Sequence, residues 1–253
     1  MGSLLDYWRR TRTPVQKFDT VGGASSYAME LTRRTPQVSL TRHGGTSGTL
    51  RVTLTWRMRT SDMMGPQVKG GSRSLRQALR NPLELFKPAE VVGHTQGVSS
   101  VDFDLACLYE LKDGSRGALQ PLGGLHGDFN EPPYIKLTGD DRFGTASGET
   151  VYINLDHADD IARVLIYVYI KDGSPAFARA DAIISVVTPN GLNIEVGLTD
   201  PNPQARACSV AMIEHDRGEL VVRREVRYVY GFQSEIDRLF GWGLSWGRTR
   251  TTG

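Results

Sequence analysis

Two cysteines in 253 residues, Cys107 and Cys208, are too few for a disulfide framework or a cysteine-rich zinc cluster. Each sits in an apolar, strand-like run, the setting of a small buried thiol. Long apolar runs are also missing: none approaches the roughly 20 residues a helix needs to cross a bilayer. The start, "MGSLLDYWRRTRTPVQ", has neither the apolar centre nor the small-residue cleavage site of a secretory signal. A cytoplasmic protein is therefore the expectation. The five histidines, His43, His94, His126, His157 and His215, show no metal-ligand spacing and no nucleophile signature. Two glycine-rich stretches, "GGASSYAME" and "HGGTSG", lack the lysine and following hydroxyl of a phosphate-cradling loop. No catalytic residue is assigned.

What the chain does have is enough apolar material, 39% of residues, to bury a core and argue against wholesale disorder. Its net charge of +2 hides an asymmetry. Residues 1–97 hold 15 Lys and Arg against 6 Asp and Glu, and the remainder holds 15 against 22. A basic leading part fits phosphates of nucleic acid or an anionic lipid surface, and equally an arm lying across its own acidic domain. The sequence does not choose between these.

Strict alternation is the main structural signal. In "TLRVTLTWRM" Leu50, Val52, Leu54 and Trp56 share one face while Arg51, Thr53, Thr55 and Arg57 share the other. "DFDLACLYEL" repeats the pattern, and "ETVYINLD", "RVLIYVYI", "AIISVVT", "LNIEVGL", "ACSVAMIEH" and "GELVVRREVRYVY" follow. Turn chemistry separates them: "KDGS" at 112 and 171, "TPNG" at 188 and "HDRG" at 215. The fold class expected is all-β, a β-sandwich with eight or more strands, a closed barrel being the alternative.

Helical patterning is confined to two places. Between Ser72 and Val92 a stripe of Leu75 and Leu79 lies opposite Arg73, Arg76 and Arg80, and Asn81-Pro82 with Glu84 would start a second short helix. Glycine-rich flanks mark residues 62–97 as an inserted basic, helical segment, with the three arginines as a surface for an anionic partner. Near the end, "SEIDRLFGWG" predicts a short helix capped by Ser234 and closed by Gly241. The organisation expected is a basic arm over 1–36, a sandwich domain over 37–246 and a tail over 247–253.

The chemistry concentrates in "GDDRFGTASGET", residues 139–150, and at the start of the strand at 102. Asp102 and Asp104, two apart on a strand, share a face at roughly 7 Å. A hard cation would offset their repulsion, and Asp140, Asp141 and Glu149 offer further oxygens, with Gly144 letting the backbone curl. Oxygen-only donors favour calcium over zinc. The helix-loop-helix calcium pattern is not met, since the twelfth position counted from Asp140 is Val151. A solvated turn, or Arg142 pairing with Asp102 or Asp104 in place of an ion, accounts for the same residues.

"VSLTRHGGTSGTLRVTLTW", "DFDLACLYELKDG", "GDDRFG" and "VYINLDHADDIARVLIYVYI", in that order, resemble the TerD-like tellurium-resistance and stress-protein domain family. The resemblance spans about residues 37 to 232, interrupted by 62–97. It implies a calcium-binding β-sandwich whose "DFDLDAS"-like strand and "GDNRTG"-like loop hold the ion, with Asp102, Asp104, Asp140 and Asp141 in matching positions. Ala106 stands where the family strand has its third acid, and Arg57 where an Asp usually follows the tryptophan. After Gly144 only Glu149 remains of the family's acidic run. The resemblance therefore implies one calcium site with reduced ligands, in a non-catalytic interaction module for tellurite and general stress resistance. Its partners would be related stress-resistance proteins, peripherally at the inner membrane surface. Two other functions are consistent with the residues. One is a calcium-independent scaffold whose basic part binds anionic membrane, nucleic acid or an acidic sister protein. The other is a metal-dependent hydrolase using Asp102 and Asp140 to hold an activated water.

Overall fold

The computed structural model describes residues 28–56, 101–138, 149–172, 177, 180–199 and 204–247. In chain order the strands are β1 (Ala28–Glu30), β2 (Gln37–Ser39), β3 (Thr49–Thr55), β4 (Asp102–Leu111), β5 (Arg116–Leu119), β6 (Gly127–Asp128) and β7 (Ile135–Leu137). They continue as β8 (Glu149–Asn154), β9 (Ile161–Asp172), β10 (Ile183–Val187), β11 (Asn193–Gly197), β12 (Ala207–Asp216) and β13 (Glu219–Val229), before helix α1 (Gln233–Phe240). One sheet has the order β1-β11-β10-β3-β8-β7-β6 and the other β2-β13-β12-β9-β4-β5. All pairings are antiparallel except β1 with β11. The expected all-β sandwich is what forms.

Alternation decides which residues meet between the sheets. Leu50, Val52 and Leu54 of β3 and Val151 and Ile153 of β8 face Phe103, Leu105 and Cys107 of β4 and Val164, Ile166 and Val168 of β9 in one buried cluster. The six-stranded sheet is buried on its outer side as well. There Ala106, Leu108, Leu165, Tyr167, Ala207 and Met212 lie under Ile236 and Trp242. That second burial explains why β4 and β12 read as almost unbroken apolar runs. In β12, Cys208 and Ile213 are an odd number apart yet both point inward, because a bulge between Ser209 and Ala211 inserts one residue and resets the alternation.

Helix α1 begins two residues earlier than "SEIDRLFGWG" predicts: Phe232 is the N-cap and makes no side-chain capping bond, so Ser234 falls inside the first turn. Gly241 closes it in the left-handed conformation at φ 64°, as expected. The chain beyond is pinned by buried Asp237, whose carboxylate accepts from Gly243 N at 2.7 Å, Leu244 N at 2.8 Å and Trp246 Nε1 at 2.6 Å. Trp242, fully buried, donates from Nε1 to Tyr109 O at 2.9 Å and lies under the Arg163 guanidinium at 3.9 Å.

The second "KDGS" is not a turn throughout, because Lys171 and Asp172 continue β9. His215 likewise belongs to β12, with Nε2 3.0 Å from Ala158 O, and not to the following turn. The inserted segment 62–97, with Arg73, Arg76 and Arg80, lies outside the described residues, as do residues 1–27 of the arm expected over 1–36 and residues 248–253, while β1 within that arm pairs with β11.

Two outcomes follow. Asp237→Ala leaves three part-buried donors without the carboxylate that accepts from them, so it should cost about 3 kcal/mol in urea unfolding and red-shift the tryptophan emission as Trp246 loses its anchor. Glu110 supplies a pH test. Burial alone would raise its pKa, but hydrogen bonds and charge from Arg163 (2.7 Å) and Arg116 (2.9 Å) outweigh it and hold the carboxyl below its ordinary 4.5. The stability it contributes is complete above that value and lost as pH falls through the lowered folded pKa. Urea midpoints between pH 7 and 3 should therefore fall less steeply for Glu110→Gln.

Candidate functional site

One end of the sandwich gathers the chemistry. Register places the end of β3 beside the starts of β8 and β10, the start of β4 beside the end of β9, and the start of β12 beside the ends of β9 and β13. The two sheets are tied together here by the Leu105 N–H, which donates to a Glu149 carboxylate oxygen. β5 pairs with β4 only as far as Cys107–Leu119, so this amide lies beyond the end of that ladder and a side chain from the facing sheet takes it. Glu149 is itself buried, and it needs such a donor to be so.

Asp102 and Asp104 project from the outer face of the six-stranded sheet, opposite to Phe103 and Leu105, as their spacing requires. Asp104 is 1% exposed and sits across from Tyr169 on β9. Burial first, then the Asp104 carboxylate, pushes the Tyr169 phenol well above its usual pKa and keeps it protonated. Between Asp102 and Phe103 the register slips: Asp102 pairs with Asp172 and Phe103 with Ile170. Lys171 is the extra residue of this bulge, and its Nζ lies 3.8 Å from Asp102 Oδ2 and 3.9 Å from Asp104 Oδ1. Among the described residues, a lysine from β9 is thus a cation beside both carboxylates. Arg142, the residue considered for that part from sequence, lies outside the described residues, as do Asp140, Asp141 and Gly144.

Oxygen is the sole donor type in Asp102, Asp104 and Glu149, which suits a hard cation such as calcium in kind. Among the described residues, however, no three His, Cys, Asp or Glu side chains gather as a metal-holding group. Ala106, the departure from the family's acidic strand, is fully buried in the outer cluster with Trp242 and Ile236. A carboxylate there would be desolvated beneath the C-terminal cap.

Beside Asp104 opens a groove of about 830 Å3 that no sequence pattern indicated. Leu122, Ile170, Tyr230 and Phe232 form its apolar walls, and Lys171, Arg206 and His126 line it with Asp104. The residues come from five separate segments, so no local spacing exposes them. The one available cue was Phe232, an aromatic just beyond the alternating run that ends at Tyr230.

The remaining reactive groups have structural explanations. Burial raises the Cys107 thiol to about 12, which keeps it protonated and unreactive at neutral pH. His157 stacks on Tyr134 with ring centroids 3.9 Å apart and pairs with Asp160 at 3.1 Å.

No protein-family model matches the chain. A curated protein, the tellurium resistance protein TerA of Alcaligenes sp, is 36% identical over 150 residues. The match takes in 59% of this chain and 44% of that protein, so the chain spans less than half the length of the relative. Over those 150 residues the chain is therefore similar to a tellurium resistance protein, and the two-sheet fold is the one that the resemblance of its motifs implies.

Proposed function

We propose that the chain serves tellurite and general stress resistance as a non-catalytic interaction module whose loop-bearing end is ordered by calcium. The observation that carries this reading is the placement of Asp102, Asp104 and Glu149 at the one end of the sandwich where residues 139–148, with Asp140 and Asp141, join β7 to β8. The match to a tellurium resistance protein supports the biological setting.

The chain's own residues do most of the work in this scheme. Strand β4 fixes the spacing of Asp102 and Asp104. Glu149 locks the facing sheet onto β4 through Leu105 N–H. Calcium, when bound, would supply a hard divalent charge that accepts about 6 to 8 oxygens from carboxylates and loop carbonyls. Lys171 would then exchange its carboxylate partners for solvent or another anion. The ordered end is the surface that related stress-resistance proteins would read, in the cytoplasm and peripherally at the inner membrane face. Among the described residues no helix is long and apolar enough to cross a membrane.

A second reading is favoured by a specific contact: Lys171 already places a positive charge within 4 Å of both aspartates. In that case the sandwich is a calcium-independent scaffold, and the basic part of the chain binds an anionic membrane, nucleic acid or an acidic sister protein. One measurement separates the two. After treatment with chelator, calcium titrated to a hundredfold excess over its dissociation constant should add about 2.7 kcal/mol, raising the melting temperature by about 5 to 10 °C. Asp104→Asn and the more exposed Asp102→Asn should each abolish most of that rise. An unmoved melting temperature in the parent protein would establish the scaffold instead.

A further inference from the structure

The groove beside Asp104 has the size of a small-molecule site, which typically measures about 300 to 1,000 Å3. Its rim is unusually apolar for exposed surface. Leu122 is 51% exposed, Tyr230 66% and Phe232 81%, and Leu125, in the same turn as Leu122, is 47% exposed. Among the described residues these are four of the seven large hydrophobic side chains left in solvent. Single exposed apolar residues carry no message, but a cluster around one concavity marks a contact surface.

Its polar groups indicate what kind of ligand fits. The one carboxylate in the lining, Asp104, is buried behind Lys171. Among the described lining residues the exposed basic and imidazole groups are Lys171, Arg206 and His126, beside the phenol of Tyr230. Arg206 is presented by the backbone, its N–H donating to Val229 O and its carbonyl accepting from Ile170 N, so the side chain is anchored at the junction of β9 and β13. Arg206 and Lys171 also make contacts within the protein, so a ligand here would share donors with them: a guanidinium has five N–H donors and an ammonium three.

We propose that this groove binds a soluble amphipathic oxyanion, with its aromatic or aliphatic body between Leu122, Tyr230 and Phe232 and its carboxylate or phosphate head at Arg206 and Lys171. The site is distinct in its residues from the acidic cluster but shares Lys171 with it. Neutralising Asp102 releases that lysine toward the groove, so oxyanion affinity and the charge on the aspartates are coupled. The bounded volume favours a small molecule over a bilayer, which would need a broad face.

The probe is 1-naphthyl phosphate, followed by its fluorescence on the full chain, with neutral 1-naphthol as control and phosphatidylglycerol vesicles as the lipid arm. The phosphate should bind saturably at one site and at least tenfold tighter than the naphthol. Phe232→Ala and Arg206→Gln, both at exposed positions that leave the core intact, should each weaken it at least fivefold. Asp102→Asn should tighten it severalfold, a gain that general loss of folding could not produce. Equal affinity for phosphate and naphthol, insensitivity to both weakening variants, or no saturation at millimolar probe would overturn the proposal. Vesicle binding lost in Phe232→Ala without binding of the soluble probe would also overturn it, in favour of a lipid surface.

Discussion

The antiparallel pairing of β4 with β9 is the constraint from which the rest of the molecule follows. Both strands are buried on two faces, inward against the seven-stranded sheet and outward beneath α1 and Trp242. A pair so enclosed has little freedom in register, because a slip by one residue would exchange two apolar sets that fill differently shaped spaces. The register shifts only near the two ends of the pair, at Asp102–Phe103 and at Glu110–Leu111, and the first of these lies where the outer cover ends. That irregularity delivers Lys171 to the two aspartates, and a regular ladder would have continued the alternation instead.

Burying Asp104 in this position has a cost that its neighbours offset. A desolvated carboxylate needs donors or a compensating charge. Here the compensation is assembled from different elements: Lys171 from the bulge and the protonated Tyr169 from the same strand two residues earlier. Glu149 is handled differently, by satisfying an amide beyond the reach of β5. The two acids therefore have unequal freedom toward any cation, since Glu149 is committed to joining the sheets while Asp104 is held by an ammonium that can turn away.

Much of this fold was legible in the sequence, and the reasons for the rest are physical. Eight strands announced themselves by alternation, since each buries one row of side chains between sheets. The two- and three-residue strands β1, β2, β6 and β7 were silent, because two or three residues cannot show a period. Lys171 was hidden in "KDGS", whose composition says turn although cross-strand pairing extends β9 through it. Ser234 met the local rule for a helix cap, but the chain enters α1 at Phe232, where the cap is backbone only. The spacing of Asp102 and Asp104 did fix their shared face. The lysine beside them was not legible as their partner, because Lys171 is 67 residues from Asp104 in the chain. The groove was invisible for the same reason, being made of short runs and single residues from distant segments.

The lysine also sets the relation between the acidic cluster and the groove. Electrostatic influence over a few ångströms at a half-buried surface is strong enough to matter and local enough to be exclusive. One ammonium cannot serve two aspartates and an oxyanion equally at the same moment. Whatever neutralises the aspartates, whether divalent charge or protonation, changes what Lys171 presents to the groove, and whatever anion enters the groove draws Lys171 from the aspartates. By linkage the effect must run with equal free energy in both directions. A fold that placed these carboxylates without the bulge would have had an acidic site and an apolar groove side by side with nothing to connect them.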